Sequence, residues 1–179
     1  MRRTVWAGCV VSAVLCVGLP HVAFAQSEPR CSVAGGYVFL QEWSAGDLET
    51  PRFPAGWLGT AAYRLGSGRW SAVGEFGVSS ESTSSDETRQ LMGAFGGARF
   101  AVYSRKRLTL FAQALAGLER FSEPGLVESG IAVQPGGGLD VRLSSRVFLR
   151  GQGDYRWSQP NGATFHAYRV IAMIGIALK

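Results

Sequence analysis

The sequence predicts an all-β fold: an eight-stranded, antiparallel, up-and-down transmembrane β-barrel preceded by a cleaved signal peptide. Three observations predict it. Hydrophobicity alternates with period two in eight segments of about ten residues across residues 31–179, and no amphipathic-helix pattern is sustained there. The connections between these segments alternate between long and short. The 179 residues include 24 glycines and only 17% charged side chains, with a mean hydropathy of +0.08. Glycine is thus about twice its usual ~7% share, and charge falls below the ~25% typical of soluble domains.

The same composition excludes other classes. Charge is too low and the aromatic content, 11%, too high for a disordered chain. Three cysteines are too few for a disulfide scaffold. No apolar run is long enough for a bundle of membrane helices. The length suits one domain.

The amino terminus reads as a targeting segment. Met1-Arg2-Arg3 is followed by an apolar stretch at residues 5–18, then Pro20, then Ala23-Phe24-Ala25. A basic start, an apolar centre and a small-x-small end describe a secretory signal peptide, with cleavage expected after Ala25. The apolar stretch is shorter than the ~20 residues a spanning helix needs. Cys16 follows Leu15, and Cys9 comes too early, so neither reads as a lipidation site. Residues 1–25 are therefore assigned to the signal peptide and 26–179 to the barrel domain. In that domain Cys31 and His166 are the only cysteine and histidine, too few for an internal disulfide or a Cys/His metal site. Cys31 reads as a small apolar residue at a strand start. No cofactor is implied. The basic residues are scattered apart from Arg105-Lys106-Arg107, which argues against a nucleic-acid partner.

The strands follow in order. Residues 31–41 carry small or apolar side chains on both faces. Next, Trp57, Gly59, Ala61, Tyr63 and Leu65 oppose Leu58, Thr60, Ala62 and Arg64. Trp70, Ala72, Gly74, Phe76 and Val78 oppose Ser71, Val73, Glu75 and Gly77. Met92, Ala94, Ala98, Phe100 and Val102 oppose Leu91, Gly93, Phe95, Gly97 and Arg99. Leu108, Leu110, Ala112, Ala114, Ala116 and Leu118 oppose Thr109, Phe111, Gln113, Gly117 and Glu119. Over residues 130–143, Ile131, Val133, Leu139, Val141 and Leu143 oppose Ala132, Gln134, Gly136, Gly138, Asp140 and Arg142. Pro135 lies inside this segment and cannot donate a ladder hydrogen bond, so a bulge is expected there. Over residues 146–157, Val147, Leu149, Gly151, Gly153, Tyr155 and Trp157 oppose Arg146, Phe148, Arg150, Gln152, Asp154 and Arg156. Last, Tyr168, Val170, Ala172, Ile174, Ile176 and Leu178 oppose Arg169, Ile171, Met173, Gly175 and Ala177.

Loop lengths and face chemistry then turn a β-protein into a membrane barrel. Residues 42–55, 79–88, 121–129 and 158–164 read as longer loops, and residues 66–68, 104–107 and 144–145 as tight turns. Outer-membrane barrels sort their connections in this way, short in the periplasm and longer outside. A strand of ten residues tilted near 45° crosses a bilayer, and its lipid face must be apolar while its lumen face can be polar. The expected lumen set is Arg64, Glu75, Arg99, Glu119, Asp140, Arg142, Arg150, Asp154, Arg156 and Arg169. Eight strands leave room for little more than side chains, so these groups are expected to pair into a polar plug. Inward glycines are expected to make room for the arginines. Trp57, Tyr155, Trp157 and Tyr168 fall beside the longer loops, and Tyr63, Trp70 and Phe100 beside the short turns. Together they form the two expected aromatic girdles. Glu42, Asp47, Glu49, Glu81, Asp86, Glu87, Glu123 and Glu128 would make the outer rim acidic.

Gly35-Gly36-Tyr37, Gly96-Gly97-Ala98-Arg99-Phe100, residues 111–117, residues 136–143 and residues 150–155 resemble the small outer-membrane β-barrel family. This is the OmpA/OmpX-like and opacity-type group, often called porin-family barrels, and the resemblance covers essentially all of residues 31–179. It implies a Gram-negative outer membrane as location, membrane lipid as surroundings, and barrel-assembly machinery and periplasmic chaperones as biogenesis partners. The chain is expected to be a monomer. That machinery favours a terminal aromatic, where this chain has Lys179.

Some barrels of this size are lipid A-modifying enzymes, and a Ser/His/acid arrangement needs a histidine to move the proton. The lipid A deacylase type carries His-x-Ser where this chain has His166-Ala167-Tyr168. His166 also falls on the outward face, so no catalytic residue is assigned. Residues 79–85 read as a serine-rich loop. The competing class is a soluble secreted or periplasmic lipocalin-like carrier, for which Gly68-Arg69-Trp70 supplies a G-x-W. A carrier would need an apolar cavity, whereas this inward face is charged. The expectation is a non-catalytic barrel with a structural or surface-interaction role.

Overall fold

A computed structural model describes residues 30–43, 52–53, 55–82, 88–123, 125–160 and 164–178. The expected cleavage point after Ala25 and Lys179 lie outside them. The elements in chain order are β1 (Cys31–Trp43), β2 (Arg52–Phe53), β3 (Ala55–Arg64), β4 (Trp70–Ser82), β5 (Thr88–Arg105), β6 (Leu108–Glu123), β7 (Leu126–Arg142), β8 (Val147–Pro160) and β9 (Phe165–Leu178). Each of β3 to β9 pairs antiparallel with its predecessor around the barrel. β9 returns to β1, from Cys31↔Leu178 to Trp43↔His166. That seam closes an eight-stranded barrel, because β2 is only a two-residue pairing laid on β1 (Leu40↔Phe53, Gln41↔Arg52). Closure leaves no unpaired edge, which is what a strand structure needs in lipid.

Two local expectations are corrected. Pro135 causes no bulge. β6 and β7 stay in one register through Ala114↔Pro135, and on the other side the register is the same at Val133↔Trp157 and Gly136↔Asp154. The missing N–H removes ladder rows there without shifting the strands. The register shift lies instead in β5, between Ala101 and Tyr103. It leaves both Val102 and Tyr103 exposed and brings Ser104 within 3.2 Å of the Thr109 hydroxyl.

The longer loops also shorten. β5, β6 and β7 run for 18, 16 and 17 residues, well beyond the ~9–11 that cross a bilayer. The stretch expected to be loop at 121–129 is ladder almost throughout, with pairing that runs out to Glu123↔Leu126. Gly125 takes φ +84°, a conformation glycine adopts freely. Polar residues can extend a ladder above the membrane, as at Glu81↔Arg89, where opposite charges face each other across two strands. At the other end the turns are tight: Leu65 N–H donates to Trp70 (2.9 Å) and Leu143 N–H to Val147 (2.9 Å).

The outside of the barrel is apolar all round. Val33, Phe76, Met92, Leu118, Ile131, Leu149 and Ile174 are exposed, Leu118 at 67% and Ile174 at 58%. Such a continuous belt far exceeds the patches that soluble monomers tolerate; it is a lipid-facing surface. Ile174→Arg, on the outer face of β9 between Tyr168 and the short-turn end, should therefore cost about 2–4 kcal/mol in lipid vesicles, as for a cation near the bilayer midplane. A solvated surface site would change by no more than ~0.5 kcal/mol. Urea titration of the refolded protein separates the two values.

Candidate functional site in the barrel lumen

Alternate residues of all eight barrel strands point inward, and they sort into layers along the barrel. At the end opposite the short turns, Leu40, Phe53, Leu91 and Ala167 form a buried apolar cluster with Phe121 packed against it. Phe53 has no exposed surface. It was expected to lie in a loop; β2 folds it back over the lumen, which no local periodicity could reveal in a two-residue strand.

Below that cluster lies a charged network. Arg169 (β9) donates through Nη2 to Glu75 Oε1 on β4 and Asp154 Oδ2 on β8, both at 2.8 Å. Gln134 Nε2 donates to Glu75 at 3.0 Å. Its Oε1 accepts from Arg156 Nε at 3.2 Å and Nη2 at 3.0 Å. Arg156 then pairs through Nη1 with Glu119 Oε2 at 2.5 Å. Gln152 Nε2 donates to Asp154 Oδ2 at 2.9 Å. Glu75, Asp154, Arg156 and Arg169 are all 5% exposed or less, so these charges are held by one another and by amides rather than by solvent. Glu75 Oε2 and Arg169 Nε lack partners among the described residues. Both residues line a 10 Å³ cavity, about the room one water needs.

Nearer the short turns a second pair stands apart. Arg150 donates to Asp140 through Nε (2.6 Å) and Nη2 (2.8 Å), a two-pronged contact, and reaches Thr60 Oγ1 at 3.4 Å. Arg99 donates through Nε (3.1 Å) and Nη2 (2.8 Å) to the neutral Gln113 Oε1. Gln113 in turn reaches Asp154 Oδ1 at 3.4 Å, linking the layers. Arg64 and Arg142 line the lumen mouth at the short-turn end. The hub role of Gln134 and Gln113 was missed because sorting by charge passes over amides. Their inward parity was the available signal.

The glycines serve a purpose other than the expected one. A Cβ at Gly117 would strike the Ala94 carbonyl and then Phe95, one at Gly138 would strike the Gly151 carbonyl and then Phe111, and one at Gly175 would overlap the Phe148 ring. Of the inward glycines whose surroundings are described, Gly136 alone abuts a charged side chain, Asp154. Gly93, Gly117, Gly138 and Gly175 seat phenylalanine rings, and the rings seat the arginines. Arg99 lies 4.3 Å from the Phe111 centroid, Arg156 lies 4.6 Å from Phe95, and Arg150 lies 5.1 Å from both Phe111 and Phe148. Desolvated cations gain most from a ring face.

On the outside, Trp70 and Phe100 are register partners with ring centroids 4.9 Å apart, close to the short turns. Tyr63 lies at the same end, paired with Cys31 and Ala72. Tyr155 and Tyr168 are register partners at the other end, 5.3 Å apart. Trp157 there is half-buried, and Trp57 packs 5.6 Å from Phe76. The Tyr155 hydroxyl and His166 Nδ1 are hydrogen-bonded. Of the rim acids, Glu81 and Glu128 are half-buried; the other six side chains lie outside the described residues.

No protein-family model matches the chain, and no curated protein matches it. Solved structures do. Neisserial surface protein A superposes with a TM-score of 0.71 at 11% identity, covering 86% of this chain and 100% of that one. Ail, the attachment invasion locus protein of Yersinia pestis, gives 0.59 at 18% identity over 84% of this chain and 99% of its own. The N-terminal β-barrel domain of Pseudomonas aeruginosa OprF gives 0.58 at 10% identity, over 84% and 98%. At these identities the likeness is one of fold. The chain has the fold of the small, OmpA/OmpX-like outer-membrane barrels.

Proposed function

We propose that the chain is an integral outer-membrane β-barrel with a structural or surface-interaction role, its lumen closed by side chains and its residues carrying out no catalysis. One observation carries this reading: apolar side chains cover the outside of a closed barrel, while ion pairs, amides and an apolar cluster fill the inside. A carrier for apolar ligands would need the reverse. Against catalysis, His166 spends Nδ1 on the Tyr155 hydroxyl, and Tyr168 stands where a serine nucleophile would be needed. Membrane lipid surrounds the barrel, and assembly machinery and chaperones deliver it as a monomer. What distinguishes one such barrel from another then resides in its outer loops.

Planar-bilayer recording tests the closed lumen, with no large steady conductance expected. A steady open channel would refute it. Fractionation tests the location: recovery needs detergent, and the folded form migrates differently from the boiled form in gels. Recovery from the periplasm without detergent would refute a membrane barrel.

A further inference from the structure

We propose that the short-turn end of the lumen is a binding site for a small multivalent oxyanion of the phosphate class, reached from water. A cavity of 260 Å³ opens there, and among the described residues its lining holds nine Arg or Lys side chains and one carboxylate, Asp140. Asp140 is already engaged by both prongs of Arg150. Deeper in the lumen three carboxylates hold two guanidiniums: Arg169 lies between Glu75 and Asp154, and Arg156 meets Glu119. The lumen's excess positive charge is thus gathered at one end.

This is a built site and not merely a basic surface. Arg99 and Arg150 form its floor, buried to 7% and 3% exposure and stacked on Phe111. Arg99 makes no ion pair among the described residues, and Gln113, its hydrogen-bond partner, is neutral. A desolvated guanidinium with no carboxylate in direct contact is costly, and an anion entering the cavity would supply that contact. Half-buried Arg142 and exposed Arg146 stand at the mouth. Low-dielectric walls focus such a field, and planar guanidinium forks suit phosphate oxygens. The volume is below the ~300 Å³ at which drug-sized pockets begin, which selects small ligands such as pyrophosphate. The lining faces the lumen and the mouth lies among turns, so the ligand comes from solution and not from a lipid headgroup.

The test is calorimetric titration of the full refolded chain, in nonionic-detergent micelles at low ionic strength, with inorganic pyrophosphate. Saturable one-to-one binding is expected, weakened by added salt. Arg142→Gln with Arg146→Gln should weaken it at least about tenfold, the effect of losing hydrogen bonds to a charged group. Arg99→Gln should do the same; if that variant does not fold, the double variant at the mouth decides. Arg120→Gln, which alters an exposed cation towards the other end of β6, should change nothing. No saturable binding, undiminished binding in the double variant, or an equal loss in Arg120→Gln would overturn the proposal. Repetition in phosphatidylglycerol nanodiscs should give the same stoichiometry. Loss of pyrophosphate binding there would assign the site to lipid headgroups and overturn the soluble-ligand reading.

Discussion

Arg169→Met is expected to destabilise the folded barrel by about 3–5 kcal/mol, the cost of removing one partner from a buried ion pair. The loss should reach that range because a single guanidinium nitrogen serves two carboxylates, Glu75 and Asp154, each 2.8 Å away. Side-chain exposures here are 2% or less, so neither carboxylate left behind can turn to bulk water. The two acids would also be left close to each other with no cation between them. The measurement is the urea midpoint in lipid vesicles, read by tryptophan fluorescence. Adding Glu75→Gln and Asp154→Asn to Arg169→Met should recover most of the loss, since removing all the charges together is often close to neutral. A single-variant change below ~1 kcal/mol would mean that water reaches this layer, and it would count against a lumen closed by side chains.

Gly36→Ala is expected to be as damaging, for a steric reason. Gly36 lies on the seam where β1 meets β9. A Cβ there would overlap the carbonyl oxygen of Ala172 and approach the Met173 backbone. Neither is a flexible tip that can move aside, so the two strands must separate where the barrel closes. Overpacking of side chains costs ~1–3 kcal/mol; a collision with backbone should cost at least the upper value, about 3 kcal/mol. Loss of the heat-modifiable folded band would report it. Gly151→Ala is the matched control, because nothing lies within 4 Å of a Cβ there. It should be neutral or stabilise by ~0.4–1 kcal/mol through the unfolded chain. Nothing in the structure requires glycine at 151.

Strand number, strand order and side-chain parity were readable from the residues, because they are local properties. A period-two segment declares its two faces whatever it packs against. Up-and-down order follows when each connection is short enough to join only neighbours. The bulge was misplaced for an instructive reason. Pro135 carries a visible local defect, yet the ladder absorbs it by omitting rows, while Val102, ordinary in sequence, sits where the register shifts.

Pairing within the lumen was not readable. Arg169 and Glu75 are 94 residues apart and Arg150 and Thr60 are 90 apart; they meet only because the sheet closes on itself. Composition shows that inward arginines outnumber inward acids. Only the stagger of the strands decides that carboxylates cluster in mid-lumen and that the surplus cations gather at the short turns. The same holds for the glycines: their excess signals close approach, but whether the neighbour is an arginine, a ring or a carbonyl depends on the strand across the ladder. Alternation is set by each residue's own backbone, so one dimension of sequence carries it. Charge compensation and close packing arise between strands distant in the chain, and only the closed barrel brings them together.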